Sequence, residues 1–504
     1  MTSLRRFGSV ALVGAVAACA RNVTGPPPPP GTHVGFYAAP TGSSSADGSG
    51  TDPWDLQTAL HGGGRQIHAG DTLWLRGGTY FAPVSSNLTG SAGQPIIVRG
   101  YPGERPIIDG KNLATGSQIE ILTVDGSYTI YRDFEITNTS TDRANGRHAG
   151  VYLRNGTNVK LVNLIIHDTG MGVYAEQQTS GCEIYGLIIY NGGWETAIRS
   201  NGHGMYLKQT ASGQKFIRNN IIFNSFGLGI HVYTDAGTGA LKNMTFEDNV
   251  VFNSGTLSTF PSANVLIGGE EVADGITFQD NTTYFSPGVA STNVRVGYLN
   301  VANGAVIFAR NYVVGGVPTF ETGYWNSVTA TNDTLFGSAR VVRVREADLT
   351  GYSWTGNRYF RDTTATAWQY NGTDYTLGGW RTAAGIGGSD LGLGTTPAVA
   401  RVSVQPNAYE PGRATIVVFN WGGAASVPVN VSGVLTNGDL YEVRNVQEWF
   451  GSPVASGTYS GGTITIPLAA VTPPAPIGGS PVTPLTTGPA FNVFVVRRLP
   501  HPLA

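Results

Sequence analysis

From His148 to about Tyr312 the chain repeats one arrangement of apolar and polar residues. Each unit has a short apolar strand opened by a small residue, then a polar turn, then a second apolar run. The units read HAGVYLRNGTNVKLVNLIIHD, MGVYAEQQTSGCEIYGLIIYN, HGMYLKQTASGQKFIRNNIIFN, LGIHVYTDAGTGALKNMTFEDNVVFN and ANVLIGGEEVADGITFQDNTTYF. Repeats of roughly 20 to 50 residues indicate a stacked architecture, and their strand content predicts a β-solenoid.

Alternate side chains of each strand should point into the core and out of the sheet. The core positions are Val151, Leu153, Val173, Ala175, Met205, Leu207, Ile230, Val232, Val265 and Ile267. A first outward column contains Tyr152, Tyr174, Tyr206, His231 and Leu266. A second contains Arg154, Glu176, Lys208, Tyr233 and Gly268. Rungs lie about 4.8 Å apart, so neighbours in a column are expected to touch.

Asparagine precedes most of the second apolar runs. The positions are Asn163, Asn220, Asn249, Asn281 and Asn311. We expect their amides to form an internal ladder from rung to rung, which is a structural role. Two longer intervals between the strands predict loops within Asn191 to Asn201 and near Ser254 to Ser262, where sites are commonly built.

The stretch before the repeats has the features of a capped solenoid end. Thr51-Asp52-Pro53-Trp54 predicts a helix start, with Leu56, Ala59 and Leu60 as its apolar face. The segments GDTLWLRGGTY, PIIVRGYPGE and PIIDG follow. Together they resemble the N-terminal cap and first rungs of the pectate-lyase-like right-handed parallel β-helix superfamily, over about residues 35–110. The resemblance implies the fold but not one chemistry, because the superfamily includes lyases, hydrolases, epimerases and phage tailspikes.

The pattern loosens after Phe320, and Tyr375 to Asp390 is expected to lead out of the solenoid. Alternating strands from about residue 398 predict an antiparallel sandwich. The run VQPNAYEPGRATIVVFNW resembles a C-terminal module of many secreted bacterial β-helix proteins, with a role in packing or glycan contact. The chain is thus predicted to be all-β, with a signal peptide (1–18), a Pro-rich tether (19–34), a right-handed parallel β-helix with a short capping helix (35–395) and a β-sandwich (396–504).

Composition agrees with this fold class and narrows the partners. The 504 residues include 70 glycines and only 13% charged residues, which opposes a helical bundle or a disordered chain. The net charge of −2, with no basic run, makes nucleic acid a poor partner. We expect a monomer.

The first residues are typical of an export signal. Arg5 and Arg6 precede an apolar stretch, Phe7 to Ala18, that is too short to span a bilayer. The ending Val-Ala-Ala-Cys19 resembles a bacterial lipobox, which implies cleavage before Cys19 and lipid on its sulfur; the alternative is an ordinary secretory signal. The protein is expected in the cell envelope or outside the cell, with the membrane a partner only through the lipid. The other cysteine, Cys182, is expected to be a buried apolar residue.

The outward columns indicate a groove for a polysaccharide. Aromatic faces stack on sugar rings, and flanking charges orient a polar polymer. Tyr152, Tyr174 and Tyr233 are candidate contacts. The alternative is a self-satisfied surface in which Arg154, Glu176 and Lys208 form an ion ladder.

Polysaccharide lyases of the superfamily abstract a proton next to a uronate carboxylate, often with Lys or Arg. Lys208 is the candidate base by position, but a carboxylate from Glu176 within about 5 Å would keep its ammonium protonated. His231 is the rival, with Tyr206 beside it as a partner acid. Lys208 would then bind the uronate.

The predicted loop supplies further candidate ligand contacts, Trp194, Glu195 and Arg199. Gly-His203-Gly resembles a polygalacturonase motif, but the paired aspartates of that family are missing one rung earlier. His203 is expected to line the groove. A hydrolase, the second hypothesis, would use two of Glu176, Glu195 and Asp168.

Calcium-dependent lyases carry a dense outward aspartate cluster, whereas Asp142, Asp168 and Asp235 are scattered here. The sequence therefore predicts no tight catalytic calcium and no other cofactor. The leading hypothesis is an exported protein that binds and cleaves an acidic polysaccharide by lyase-type β-elimination. The alternatives are a glycoside hydrolase and a non-catalytic surface protein that binds glycan or is structural.

Overall fold

The computed structural model describes residues 35–114, 120–394 and 396–500. The signal peptide, Cys19 and the tether lie outside the described residues. Within the described part, no helix has the length and apolar character needed to cross a membrane. The fold is nearly all-β, as predicted, with three long sheets followed by a smaller antiparallel unit.

Successive turns of the chain contribute strands to three sheets, here called A, B and C, which are parallel apart from one terminal strand. Sheet A consists of Phe36–Ala38, Thr72–Leu75, Ile96–Gly100, Thr129–Arg132, Lys160–Val162, Glu183–Tyr185, Lys215–Arg218, Leu241–Glu247, Ala273–Gln279, Asn303–Ala309, Trp325–Thr331 and Tyr352–Thr355. Sheet B consists of Gly78–Phe81, Pro106–Asp109, Glu135–Thr137, Ile165–His167, Ile188–Tyr190, Ile221–Phe223, Val250–Phe252, Thr282–Tyr284, Tyr312–Val314, Thr334–Phe336, Arg358–Phe360 and Leu391–Gly392.

Sheet C consists of Val84–Ser86, Leu122–Val124, Val151–Leu153, Val173–Ala175, Met205–Leu207, Ile230–Val232, Val265–Ile267, Val294–Val296, Phe320–Thr322, Val342–Val344 and Trp368–Tyr370, closed by the antiparallel strand Thr373–Tyr375. Its register confirms the first outward column. Tyr152 pairs with Tyr174, Tyr174 with Tyr206, and Tyr206 with His231. The ten predicted core residues of these strands are all fully buried.

An amide ladder runs through the turns between sheets A and B. The Nδ2 of Asn220 donates to Oδ1 of Asn249 (2.9 Å), Asn249 to Asn281 (2.9 Å) and Asn281 to Asn311 (3.2 Å). Asn163 is the exception to the predicted ladder. It adopts a left-handed conformation (φ 53°) and donates to Glu410 of the C-terminal unit, because the interior position of its turn is held by the next residue, a leucine.

The capping helix forms, but later than predicted. It spans Leu56–Leu60, with Asp55 as the N-cap accepting from the Thr58 amide. Pro53 lies before it, because Trp54 is drawn into the core and bridges Ala38. The predicted exit segment contains a second helix, Leu377–Ala384, capped by Thr376.

The C-terminal unit is an antiparallel β-sandwich, as predicted. One sheet contains Arg401–Pro406, Arg413–Phe419, Phe491–Arg498, Leu440–Asn445 and Ala455–Thr458, the other Ser426–Asn430 and Thr463–Pro467, and a 3₁₀ turn spans Val446–Glu448. Its outer apolar face packs on sheet B: Phe491 stacks on Tyr284, and Phe419 lies beside Tyr312. The apolar contact between sandwich and solenoid is therefore made on sheet B rather than on the outward side of sheet C.

Candidate functional site

The outward side of sheet C carries a continuous stack of rings. Successive ring centroids lie 4.9 Å (Tyr152 to Tyr174), 5.3 Å (Tyr174 to Tyr206) and 4.8 Å (Tyr206 to His231) apart, with interplanar angles of 9° to 13°. All four rings are partly exposed. Each belongs to a three-residue strand whose flanking side chains are anchored in the core, so the stack is held by the solenoid itself.

The second column does not form the ion ladder that was the alternative prediction. Arg154 pairs with Asp125 (2.5 Å), a residue of the preceding rung. Glu176 accepts hydrogen bonds from the hydroxyls of Tyr152 (2.9 Å) and Tyr174 (2.7 Å). The Glu176 carboxylate therefore links two tyrosines of the ring stack rather than pairing with Arg154 or Lys208.

Lys208 is a nearly buried cation at the edge of the stack. Its side chain is 9% exposed, and its Nζ lies 3.2 Å from the carboxylate of Asp235, which is 58% exposed. The Nζ also lies 5.1 Å from the ring centroid of Tyr206 and 5.8 Å from that of Tyr174. Aromatic faces attract an ammonium, so the rings and Asp235 together hold a positive charge at this point.

His231 and His203 form a hydrogen-bonded pair. The Nε2 of His203 lies 3.1 Å from Nδ1 of His231, and the amide of Leu228 donates to Nδ1 of His203. Burial, together with the positive charges of Lys208 and Arg199, lowers the pKa of His231 to about 3. Burial also lowers the pKa of His203, with the charges of His231 and Arg199 acting in the same direction. Both imidazoles are therefore neutral near pH 7, and His231 is a weak proton acceptor.

The tyrosines of the stack hold their protons. Burial raises the pKa of Tyr174 and Tyr206, with nearby carboxylates acting in the same direction. Burial and Glu270 raise the pKa of Tyr233 to about 12. A phenol in this state is a hydrogen-bond and proton donor rather than a base.

The predicted loop is a hairpin, with Trp194–Glu195 paired to Ser200–Asn201. Glu195 accepts hydrogen bonds from Ser258 and Thr259, so it ties the hairpin to the second predicted loop. Arg199 is exposed on the hairpin, and its Nε donates to Asn201. Trp194 is partly buried. The Glu195 carboxylate therefore joins the two loops through hydrogen bonds.

The three acids proposed for a hydrolase are each engaged by different partners. Asp168 is buried between Arg143 (2.7 Å) and His167 (2.8 Å), at the turn that leaves sheet B. Its Oδ1 also accepts from the amide of Ile477 in the C-terminal unit. With Glu195 engaged between the loops, Glu176 is the member of the set that lies on the ring stack.

Comparison with known proteins identifies the family of this solenoid. Residues 36–322 match the family model described as the Pel9A-like, right handed beta helix region. The chain belongs to this family. Pectate lyase L of Paenibacillus polymyxa is 26% identical over 238 residues, which cover 44% of this chain and 50% of that protein. Pectate lyase PEL9 of Emericella nidulans is 34% identical over 252 residues, which cover 44% of this chain and 57% of that protein.

The chain spans about half the length of these curated relatives. Among solved structures, pectate lyase Pel9A aligns with a TM-score of 0.47 and 16% identity, covering 64% of this chain and 78% of that chain. The family assignment confirms the predicted pectate-lyase-like β-helix. The matched region contains the whole ring stack, from Tyr152 to His231.

The resemblance to calcium-dependent lyases of the wider superfamily implies a cluster of acids around the ion. Oxygen ligands must converge to hold calcium. Among the described residues, no three His, Cys, Asp or Glu side chains are placed to hold a metal ion. Glu270 and Glu271 accept instead from the backbone amides of Ala236 and Gly237. Within the described ranges, these acids therefore do not fit a metal centre.

Sequence reasoning missed charged residues further along sheet C. The outward column continues past Leu266 to Arg295, Glu321 and Arg343. Asp125 and Asp235 were also not foreseen as partners of Arg154 and Lys208. The sequence does contain a signal for this extension of the outward column. The strands VRV, FET and VRV keep the alternation of apolar and charged residues after the repeats become irregular.

Proposed function

We propose that this protein is an exported carbohydrate-active enzyme that binds an acidic polysaccharide along sheet C and cleaves it by β-elimination. The observation that carries the proposal is the ring stack from Tyr152 to His231 with the Lys208 ammonium fixed at its edge. The curated relatives in the same family are named pectate lyases, which supports an acidic glycan as the substrate class.

The ring stack suits a sugar polymer for geometric reasons. The rings repeat at 4.8 to 5.3 Å along sheet C, close to the advance of one pyranose unit in an extended chain. Because neighbouring rings stack on each other, the column presents ring edges and hydroxyl groups to a sugar chain, while the sugar hydroxyl and carboxylate groups point to polar neighbours. Arg154, Glu176, Tyr233 and Arg199 border this surface and serve as those neighbours.

Lys208 is assigned as the base, in preference to His231. At neutral pH the acceptor nitrogen of His231 is occupied by His203, and its low pKa makes it a poor proton acceptor. The partner of Lys208 is the exposed Asp235, which a bound sugar can engage.

The reaction then proceeds as follows. The Lys208 amine takes the proton from the carbon next to the uronate carboxylate. The electron pair forms a carbon–carbon double bond as the bond to the glycosidic oxygen breaks. The Tyr206 phenol gives its proton to that oxygen, since burial keeps this group protonated. His231 donates a hydrogen bond from Nε2 to the sugar, and His203 positions it.

A non-catalytic glycan-binding role is the second candidate. It is favoured by the ion pair of Lys208 with Asp235 and by the rings beneath the ammonium, because both stabilise the charged form. A hydrolase is less supported, because Asp168 is paired with Arg143 and His167 while Glu195 is hydrogen-bonded to Ser258 and Thr259.

A panel of polysaccharides, assayed with purified protein, separates these functions. Elimination produces an unsaturated uronate that absorbs ultraviolet light, together with new reducing ends. Reducing ends without absorbance would show hydrolysis and contradict the proposal. Binding without either product would leave the binding role.

We also propose that the protein is exported and anchored through lipid on Cys19. The support is the lipobox-like Val-Ala-Ala-Cys19 in the sequence. Metabolic labelling with a fatty acid should mark the wild type and not Cys19→Ala. Equal labelling of both proteins would contradict the anchor.

A further inference from the structure

The outward column of sheet C ends in a cluster of arginines around one acid. Leu266 pairs with Arg295, Arg295 with Glu321, and Glu321 with Arg343. Arg295 is thus two rungs beyond His231, about 10 Å along the sheet. Arg343 and Arg345 lie beyond residue 322, where the family match ends.

Three guanidinium groups share the single carboxylate of Glu321. Its oxygens lie 2.9 Å from Arg295 Nε, 2.9 Å from Arg343 Nη1 and 2.8 Å from Arg345 Nε. The Glu321 side chain is 1% exposed, whereas those of the arginines are 19% to 32% exposed. One negative charge cannot neutralise three positive charges, so this patch presents an excess of two to solvent.

Neighbouring acids do not remove this excess. Asp374 is paired with Arg340 at 2.8 Å, so that pair is balanced. Burial raises the pKa of Glu346 above its ordinary value, and even with Glu346 ionised the three arginines keep an excess of one positive charge over Glu321 and Glu346. Burial lowers the pKa of Arg295, and the charges of Arg345 and Arg343 add to the effect while Glu321 opposes it. The cluster is stabilised electrostatically by any added anion.

Ring contacts connect this cluster to the stack. Tyr233 lies 5.1 Å from His231 and 6.0 Å from Tyr298, and the Arg295 guanidinium lies 4.9 Å from the Tyr298 ring. An extended sugar chain on the Tyr206 and His231 rings would therefore continue over aromatic surface until it reached Arg295.

We propose that Arg295, Arg343 and Arg345 form a subsite that binds the carboxylates of sugar units two or more residues away from the reacting bond. Glu321 fixes the three guanidiniums, and their planar forks match carboxylates. The inference rests on the proposed function, since it assumes that the polymer follows sheet C. It adds that acidic groups are needed on distant sugars as well as on the reacting one.

The test compares binding of a de-esterified polyuronate and its methyl ester by affinity electrophoresis. Arg345→Gln and Arg343→Gln should each weaken binding of the acidic polymer about tenfold and leave the ester unchanged. Arg310→Gln is the matched control, because it removes an arginine paired with Asp280 at 2.7 Å elsewhere on the solenoid. Arg345→Lys should restore part of the affinity, which separates charge from loss of fold.

Two results would overturn the inference, and they differ in what else they affect. If wild type binds the acidic polymer and both glutamine variants bind it equally well, the subsite is wrong while the proposed function stands. If wild type binds neither polymer nor cleaves it, the proposed function fails as well.

Discussion

The Nε2 of His203 lies 3.1 Å from Nδ1 of His231, and this contact fixes the state of both rings. The Leu228 amide can only donate, so His203 Nδ1 is an acceptor and its proton is on Nε2. That proton is shared with His231 Nδ1, which leaves the His231 proton on Nε2. The ring at the end of the stack therefore offers a donor to a ligand.

Nuclear magnetic resonance of imidazole nitrogens tests this assignment. We expect His231 to remain in the neutral Nε2–H form from pH 8 down to about pH 4, since its pKa is lowered to about 3. In His203→Ala, the Nδ1 acceptor loses its donor, and a mixture of tautomers should appear. Titration of His231 near pH 6.5 in the wild type would contradict the assignment.

His167, unlike His231, has a raised pKa, so its protonation stabilises the folded protein. Burial opposes its charge, but hydrogen bonds with Asp168 and Glu135 outweigh burial and raise its pKa to about 9. The stability from this charge is complete below about pH 6.5, the ordinary value, and is lost as pH rises through 9. His167→Gln should therefore lower the free energy of unfolding by about 3 kcal/mol at pH 6.

Urea unfolding at pH 6 and pH 9.5 measures this effect. The difference between wild type and His167→Gln should shrink at the higher pH. His68→Gln, at an exposed histidine with no more than a distant acid partner, should show no such change. An equal difference at both pH values would mean that His167 is not charged in the folded protein.

The amide ladder should contribute stability without affecting binding. Asn249→Ala removes the acceptor of Asn220 and the donor to Asn281, leaving buried polar groups without partners. We expect a loss of about 1 to 3 kcal/mol in urea unfolding. Asn300→Ala, at an exposed position, serves as the control and should change little. A loss as small as that of the control would contradict a stabilising role for the ladder.

The ring stack predicts a difference between two variants of one residue. Tyr174→Phe keeps the ring and loses only the hydrogen bond to Glu176, so glycan affinity should stay within about threefold. Tyr174→Ala removes the central ring and should weaken binding about tenfold. Tyr101→Ala, at an exposed ring next to sheet A, is the control. Equal affinity in Tyr174→Ala would place the polymer elsewhere.

The fold could be predicted because its signal is local and repeated. Alternation within each strand assigned Val173 to the core and Tyr174 to the surface, and stacking then placed Tyr174 beside Tyr206. The assignment of Asn163 to the ladder was wrong by one position. Asparagine is favourable both at the ladder position and at the left-handed turn residue just before it, and Asn163 is the turn residue.

The partners of the charged residues could not be predicted in the same way. Arg154, Glu176 and Lys208 align in one column, which favoured pairing along it. Their long side chains instead reach Asp125, tyrosine hydroxyls and Asp235 on neighbouring rungs and turns. The hydrogen bond between His203 and His231 could not be predicted either. His203 lies in the turn before its strand, whereas His231 lies within the strand of the next rung.

Lys208→Ala tests the assignment of the base, by the ultraviolet absorbance of unsaturated uronate formed from an acidic polysaccharide that the wild type cleaves. We predict a loss in rate of more than about 100-fold, with the polymer still bound. His231→Gln should lose less, since His231 contributes a hydrogen bond rather than proton abstraction. A Lys208→Ala protein that eliminates at nearly the wild-type rate would contradict the assignment of Lys208 as the base.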